Sequence, residues 1–488
     1  MNAWRPPSTH ARKYSWRPRS PMKRAIEAPR LVRARKVPLR RTASLGLATR
    51  RPMATNTHLF GACRARPPYE NVSRCRGGPA HGRLKCDGKA GMLMPQRQTS
   101  ALHAHDRGPS TFGESLTPPL YLTSSFRFEQ YEEGSQVARG EHPGYVYTRS
   151  GNPTTDATSR VVSVWEGAAS SLVLASGMAA ISAALLSLVR PGDEVLMSPV
   201  QYGGTYAVRH GLGDAYGLTF TFVDMTNIDE IKSHISSKTR AIIVETIANP
   251  GMVVPPLDTI GSLCQERGIA LIVDNTFATG YLYRPLGDGA TLVVNSATKY
   301  MNGHGDTLAG TVSGTIEALA PVKALVSQMG SIASPFASYM LWRGLATLPL
   351  RMDAHSRHGL AVAEGLADMA SYGRVIYPGL ANHPQHRWVR DHFHGGQAGG
   401  MMAIELAPDV SPDDFMDGLE LFSRAVSLGD TTSLVEQPST LTHRSLTADE
   451  SRIAGIHPGL IRLSIGLEDP DDLLVDLGQA LKRARHAQ

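Results

Sequence analysis

Cysteine is scarce: the 488 residues hold four, and Cys63, Cys75 and Cys86 all precede residue 90, which leaves Cys264 alone in the remainder. A disulfide framework or a Cys-rich metal site is thereby excluded from most of the chain, and a reducing compartment fits best. No run approaches the ~20 apolar residues that a membrane-spanning helix needs, and no secretory signal pattern is present. The expectation is a cytoplasmic protein with no membrane partner. Also missing is G-x-G-x-x-G at the first β-α turn, with no ribose-binding acid at the right distance after it, which argues against a nicotinamide-dependent oxidoreductase.

Acidic residues are scarce in one place. Residues 1–90 carry 22 Lys and Arg against three acids, whereas residues 91–488 carry 28 against 40, so the net charge of +7 averages two different objects. The first segment is rich in Pro, Arg and Ser and has neither helical nor strand periodicity, so residues 1–95 are expected to be a disordered Arg-rich extension. Three readings compete for it: a transit segment, a nucleic-acid-binding tail, or translation from an upstream start that is not the natural one. The last is preferred, because Met92 and Met94 stand where ordered sequence begins. A DNA-binding module would need apolar residues at helical spacing around a turn; "RPPSTHARKYSWRPRSP" has none, and no nucleic-acid partner is expected.

What the chain does have is a 42% hydrophobic composition, enough for a large core and two or more domains. From about residue 160 short apolar strands ("SSLVLAS", "DEVLMSP", "TFTFVDM", "RAIIVETI", "IALIVDN", "TLVVNSA") alternate with stretches of helical length such as "GMAAISAALLSLV" and "LDTIGSLCQERG". This is the pattern of β-α-β units around a mainly parallel sheet, an α/β fold. From about residue 336 longer helices and scattered strands ("GGMMAIEL", "LIRLSIGLE") suggest a smaller α+β domain.

Ligands in such folds sit beyond the carboxyl ends of the strands, so the polar residues there are the ones to collect. Ser176-Gly177-Met178 precedes a helix and aims free backbone N–H groups at an anion, though a lone Ser-Gly before a helix is usually just a cap. Asn249-Pro250 follows "AIIVETIA", and Asp274 follows five apolar residues, where it is either a helix N-cap or a half-buried acid that needs a cationic or hydrogen-bonding partner to stay ionised. "LVVNSATK" ends on Ser296, Thr298 and Lys299. A lysine ending a buried strand has three explanations: an ion-pair partner, a snorkelling position or a chemical task. An anion-binding helix start, a buried aspartate, two hydroxyls and a lysine are used together by pyridoxal phosphate. The lysine bonds the aldehyde, the aspartate keeps the pyridine nitrogen protonated, and hydroxyls and amides take the phosphate. Tyr202, in "QYGGTY", could stack on the ring. His304, in a Gly-rich loop, is read as structural, and no metal is assigned.

"YVYTRSGNPT", "LASGMAAI", "QYGGTY", "VDNTFAT", "NSATKYMNGHGD", "SLGDTTSLVEQPSTLTH" and "IRLSIGLED" together resemble the Cys/Met-metabolism family of pyridoxal-phosphate enzymes, over roughly residues 100–485. That family includes cystathionine γ-synthase, cystathionine β- and γ-lyases, methionine γ-lyase and the O-acylhomoserine sulfhydrylases. The resemblance implies fold type I, with a mainly parallel seven-stranded sheet flanked by helices plus a smaller C-terminal α+β domain. It implies an arm over 96–160 that contributes to a neighbouring subunit, a large cofactor-binding domain over 161–335 and a C-terminal domain over 336–488. It further implies Lys299 as the Schiff-base lysine, Asp274 on the pyridine nitrogen, Asn249 beside the phenolic oxygen, and Gly177, Met178, Ser296 and Thr298 around the phosphate. Tyr147 and Arg149 match residues that complete that cradle from a neighbouring subunit, so a homo-oligomer, commonly a dimer of dimers, is expected. Arg462 matches the clamp on the α-carboxylate of an amino-acid substrate, Ser427 a residue positioning substrate and lysine, and Tyr202 the ring-stacking tyrosine, also an acid or base.

Specificity signals conflict. "LELFSRAVSLGDTTSLVEQPSTLTHRSLTADE" and "RHGLGDAYGLTFTFVDM" read most like methionine γ-lyases. Those enzymes, however, carry a cysteine shortly after the stacking tyrosine, where this chain has Gly204, and a Lys-Asp pair where it has Val326-Ser327. The expectation is γ-replacement on an O-acylhomoserine, with γ-elimination as the alternative.

Overall fold

The computed structural model describes residues 96–104, 115–369 and 372–486. The extension expected over 1–95, with Met92, Met94 and its three cysteines, lies outside the described residues.

Seven strands form the larger sheet: β1 (Ser170–Leu174), β2 (Glu194–Met197), β3 (Thr219–Phe222), β4 (Thr239–Glu245), β5 (Ala270–Asp274), β6 (Leu292–Asn295) and β7 (Gly310–Gly314). Their order is β1-β7-β6-β5-β4-β2-β3, with β7 antiparallel to both its neighbours and the other pairs parallel. The six strands expected from apolar runs are all present. β7 was not expected: "GTVSG" has glycine at both ends and a single β-branched pair, too weak a strand signal to stand out.

The sheet is buried on both faces, which is why its strands read as continuous apolar runs. Alternation along β4 divides the core, Ile242 and Val244 packing on one side and Ala241 and Ile243 on the other. On the first side lie Val161 and Trp165 of helix Pro153–Glu166 and Ile260 and Leu263 of helix Leu257–Arg267. On the second lie Ile181 and Leu185 of helix Gly177–Leu188 and Leu319 and Val322 of helix Ile316–Met329. Each such side chain contributes ~1.5–3 kcal/mol on burial. Cys264 belongs to this core, and burial pushes its thiol up to about 12, so it is an inert packing residue. Helix Pro153–Glu166 starts on Asn152, which accepts from the Thr154 N–H, and ends on Gly167 at φ +67°. It runs through the boundary expected at residue 160.

A second sheet of five strands follows: β8 (Tyr372–Ile376), β9 (Met401–Leu406), β10 (Ser423–Arg424), β11 (Leu434–Glu436) and β12 (Leu460–Ser464), ordered β10-β11-β12-β9-β8 and antiparallel except for β10-β11. Two of these, β9 and β12, were visible as apolar runs.

One close approach fixes the start of helix Gly177–Leu188. A Cβ on Gly310 of β7 would stand 2.0 Å from the Ser176 carbonyl oxygen, and one on Gly177 would stand 2.6 Å from the Ser296 Cβ. Backbone and short side chain from three strand ends therefore meet with no room for a methyl group. Gly310→Ala is expected to lower stability by ~1–3 kcal/mol through overpacking. Gly287→Ala, whose Cβ meets nothing within 4 Å, is the matched control. Thermal unfolding of both variants checks this; equal midpoints would contradict it.

Candidate active site

The carboxyl ends of β1, β4, β5 and β6 open into a cavity of about 540 Å³. That volume suits a cofactor with a small substrate. Of the twelve residues expected at the site, ten line it: Gly177, Met178, Tyr202, Asn249, Asp274, Ser296, Thr298, Lys299, Ser427 and Arg462. Tyr147 and Arg149 do not. The Arg149 guanidinium stacks 5.7 Å over the Tyr147 ring, and its Nη1 donates to the Ser327 carbonyl at 2.8 Å, away from the cavity.

Lys299 follows β6, and its Nζ donates to the Ser427 Oγ at 2.9 Å. Burial lowers its pKa to about 8, and the Arg462 charge adds to that effect. At neutral pH the amine is therefore still mostly protonated, but its neutral, nucleophilic fraction is far larger than that of a surface lysine. Asp274 ends β5, in register with Glu245 at the end of the neighbouring parallel strand β4. Asp274 accepts from the Thr276 backbone N–H at 3.0 Å and from its hydroxyl. Burial raises Asp274 above the usual carboxylate range, the two Thr276 bonds opposing it; a cationic N–H partner would hold it ionised. Glu245 is raised by burial and then by the Asp274 charge beside it.

Glu245 was not anticipated from sequence. Its two oxygens accept from the backbone N–H groups of Tyr202 and Asn249, each at 2.8 Å, so one buried carboxylate fixes two loops of the cavity wall. The signal available was only an acid ending an apolar run, as at Asp274. Glu436 was missed too. It lies opposite Arg462 in the β11-β12 ladder, and its carboxylate meets the Arg462 Nη1 at 2.9 Å with both side chains buried. The same guanidinium donates to the Asn249 Oδ1 at 3.1 Å and to the Ser427 carbonyl at 2.8 Å, while its Nε has no partner. The orphaned Nε–H is a buried donor free for an incoming carboxylate.

Tyr202 caps helix Gly203–Val208 and is 39% exposed; burial of the ring raises its pKa. Thr298 exchanges hydrogen bonds with Ala309, its hydroxyl donating to the carbonyl at 3.2 Å and accepting from the N–H at 3.0 Å. This ties the lysine loop to the start of β7. His304 is a loop brace, its Nδ1 2.6 Å from the Asn302 carbonyl.

These residues fit a phosphorylated pyridine aldehyde. Gly177 begins a 12-residue helix in which the Ser176 Oγ caps the Ala179 N–H at 3.1 Å while the Gly177 and Met178 N–H groups have no intrahelical acceptor, and a Cβ at Gly177 would fill the space beside Ser296 that an anion would use. Lys299 supplies an amine of lowered pKa, and Asp274 a carboxylate that gains from a protonated ring nitrogen.

Comparison with known proteins bears on the same site. The model of the family described as Cys/Met metabolism PLP-dependent enzyme matches residues 98–482. The chain is 42% identical over 394 residues to an L-methionine gamma-lyase of Pseudomonas putida, covering 80% of this chain and 98% of that protein. The crystal structure of cystathionine gamma synthase from Xanthomonas oryzae pv. oryzae, in complex with aminoacrylate and cysteine, is similar with a TM-score of 0.76 at 33% identity, covering 81% and 100% of the two chains. A structure from Campylobacter jejuni that carries N'-pyridoxyl-lysine-5'-monophosphate is similar with a TM-score of 0.75 at 29% identity, covering 79% and 99%. The chain therefore belongs to the Cys/Met-metabolism family of pyridoxal-phosphate-dependent enzymes, and is an enzyme of sulfur amino-acid metabolism.

Proposed function

We propose that the enzyme acts at Cγ of a homoserine-derived or sulfur amino acid, and that its main reaction is γ-replacement on an O-acylhomoserine. When bound, pyridoxal phosphate supplies an aldehyde for Lys299 and a protonated ring that takes up the electron pair left at Cα. Gly177, Met178, Ser296 and Thr298 would hold its phosphate, Asp274 its ring nitrogen, Asn249 its phenolic oxygen, and Tyr202 one ring face. Arg462 takes the substrate α-carboxylate on its partnerless edge, which is fixed because Glu436, Asn249 and Ser427 hold the rest of the fork. Lys299, released by the incoming amine, removes the Cα proton and then a Cβ proton; Ser427 at 2.9 Å limits the arc its Nζ sweeps. Tyr202 protonates or deprotonates the group at Cγ. The Cγ–O bond breaks and a carboxylic acid leaves with a proton from the enzyme, which the thiol proton replaces as its sulfur bonds to Cγ; the protons taken from Cβ and Cα then return to those carbons. In the competing outcome water releases 2-oxobutanoate and ammonia.

The observation that favours replacement is the surroundings of Gly204. A Cβ there would stand 2.5 Å from the Tyr202 ring and 3.0 Å from the Met178 sulfur, so the cysteine found in methionine γ-lyases does not fit with the ring in this position. A second reading, γ-elimination from methionine or cystathionine, is favoured by the extent of identity to the Pseudomonas putida lyase. Tyr147 and Arg149 lie outside the cavity, on a stretch exposing Leu116, Leu122 and Tyr131, which supports the reading that residues 96–160 form an arm completing a neighbour's phosphate cradle in a homo-oligomer. On the same reading residues 161–335 form the cofactor domain and 336–488 the smaller domain.

The purified holoenzyme is expected to release 2-oxobutanoate from O-acetyl- and O-succinylhomoserine, and to yield cystathionine or homocysteine instead when cysteine or sulfide is added. Faster ketoacid release from cystathionine or methionine than from either ester would make it a lyase. Lys299→Ala is expected to lose at least ~10³-fold in turnover with the fold intact by circular dichroism. Wild-type rates in that variant would sink the assignment. In the cofactor-free protein the lowered Lys299 pKa means that the amine is protonated and unreactive below pH 8 and neutral above it. Its acylation by acetic anhydride, read by mass spectrometry, should have a midpoint near pH 8, against ~10.4 for surface lysines. A midpoint shared with the surface lysines would contradict the desolvation argument.

A further inference from the structure

The charges lining the cavity are unequally compensated. Arg462 is neutralised by Glu436 at 2.9 Å, and Lys299 has a lowered pKa. Arg444 is the remaining cation of the lining. Among the described residues it meets no carboxylate, and its one hydrogen bond goes from Nη1 to the Leu441 carbonyl at 3.4 Å, a weak contact. The same lining carries exposed apolar side chains, Leu308, Val426 and Leu441, which are 68%, 55% and 38% exposed. A guanidinium and exposed apolar side chains in one cavity suit a ligand with methylenes and a terminal anion.

The segment carrying Arg444 is held firmly. A Cβ at Gly203 would stand 2.2 Å from the Thr442 carbonyl oxygen, so the Tyr202 loop lies directly against this segment. The Thr442 hydroxyl donates to the Glu436 Oε1 at 2.8 Å. His443 is buried, with its pKa lowered to about 4 by desolvation, and its Nε2 donates to the Gln201 carbonyl at 3.1 Å. The neutral ring adds no charge of its own. Arg444 thus projects from a wall fixed both to the Tyr202 loop and to the Glu436–Arg462 pair.

We infer that Arg444 is a specificity-determining residue that binds a carboxylate carried on the γ side of the reacting centre. Two sources share that chemistry: the free carboxylate of a dicarboxylic acyl ester such as O-succinylhomoserine, and the carboxylate of cysteine as the incoming thiol. The inference rests on the Cγ reading above. A planar fork makes two parallel bonds to a carboxylate, so lysine is an incomplete replacement.

Three measurements on the holoenzyme test it. The ratio of kcat/KM for O-succinyl- over O-acetylhomoserine, with sulfide as the thiol, is expected to fall about tenfold or more in Arg444→Ala and less in Arg444→Lys if the ester carries the anion. The ratio for cysteine over sulfide, with O-acetylhomoserine, is expected to fall instead if the thiol carries it. Arg452→Ala removes an equal charge from helix Ala448–Ile453, outside the cavity lining, and should leave both ratios unchanged. Independently of turnover, L-2-aminosuberate should perturb the holoenzyme's visible absorbance at lower concentration than L-2-aminooctanoate, which has the same chain without the terminal carboxylate. Arg444→Ala should abolish that preference. Retention of the preference in Arg444→Ala, or its equal loss in Arg452→Ala, would overturn the inference. If the wild type turns over neither ester while the preference depends on Arg444, the O-acylhomoserine reading fails and the carboxylate site stands.

Discussion

The active site depends on one guanidinium. Arg462, on β12 of the five-stranded sheet, is bonded to Glu436 of the adjacent strand, to Asn249 beyond β4 of the seven-stranded sheet, and to the carbonyl of Ser427, whose hydroxyl receives Lys299. The two sheets are therefore registered against each other by hydrogen bonds that converge on a single side chain. Burying such a pair costs several kcal/mol of desolvation, which the Coulombic attraction roughly offsets, so its contribution is geometric more than energetic. Removing either partner would leave the other charge buried and cost ~3–5 kcal/mol. The arrangement fixes the orientation of a fork whose Nε stays available, and that fork is what a bidentate carboxylate requires.

The same low dielectric sets the protonation states around it. Lys299 is pushed toward its neutral form by desolvation and by the Arg462 charge, the state in which an amine attacks an aldehyde. Glu245 and Asp274 end neighbouring strands in register; burial raises both carboxyls, and the Asp274 charge raises Glu245 further. Glu245 offsets part of its burial by accepting two backbone N–H bonds, and those bonds place the Tyr202 and Asn249 loops. Asp274 has only Thr276 as a donor and so keeps an affinity for a further cationic partner. Of two adjacent buried carboxylates, one is bonded to two loops of the wall and the other only to Thr276.

How much of this was legible in the sequence follows from what each residue bonds to. The six strands of the large sheet that carry unbroken apolar runs were visible, and so were the residues ending them, because a polar residue after four or five apolar ones must sit where a buried strand emerges. β7 was hidden by its glycines, although Gly310 is what lets it approach the Ser176 turn. Glu245 and Glu436 were hidden for a different reason. Their partners are backbone N–H groups and an arginine 26 positions away, selected by sheet register, and no local period encodes register between strands. Tyr147 and Arg149 were expected at the site only through family resemblance, and they lie outside the cavity.

The division between the two sheets also divides the chemistry. Residues that would hold the cofactor come almost entirely from the ends of the parallel sheet, where a helix start, a carboxylate and a lysine follow from the topology itself. Residues that would tell one substrate from another come from elsewhere: Gly204, crowded by Tyr202 and Met178, and the segment from Leu441 to Arg444. Change at Gly204 is constrained by a ring 2.5 Å from any added carbon, whereas Arg444 lies on the exposed rim and leaves the cofactor residues untouched. Substrate preference in this architecture can therefore shift by exchange of a rim side chain while the Lys299–Asp274–Arg462 frame stays as it is.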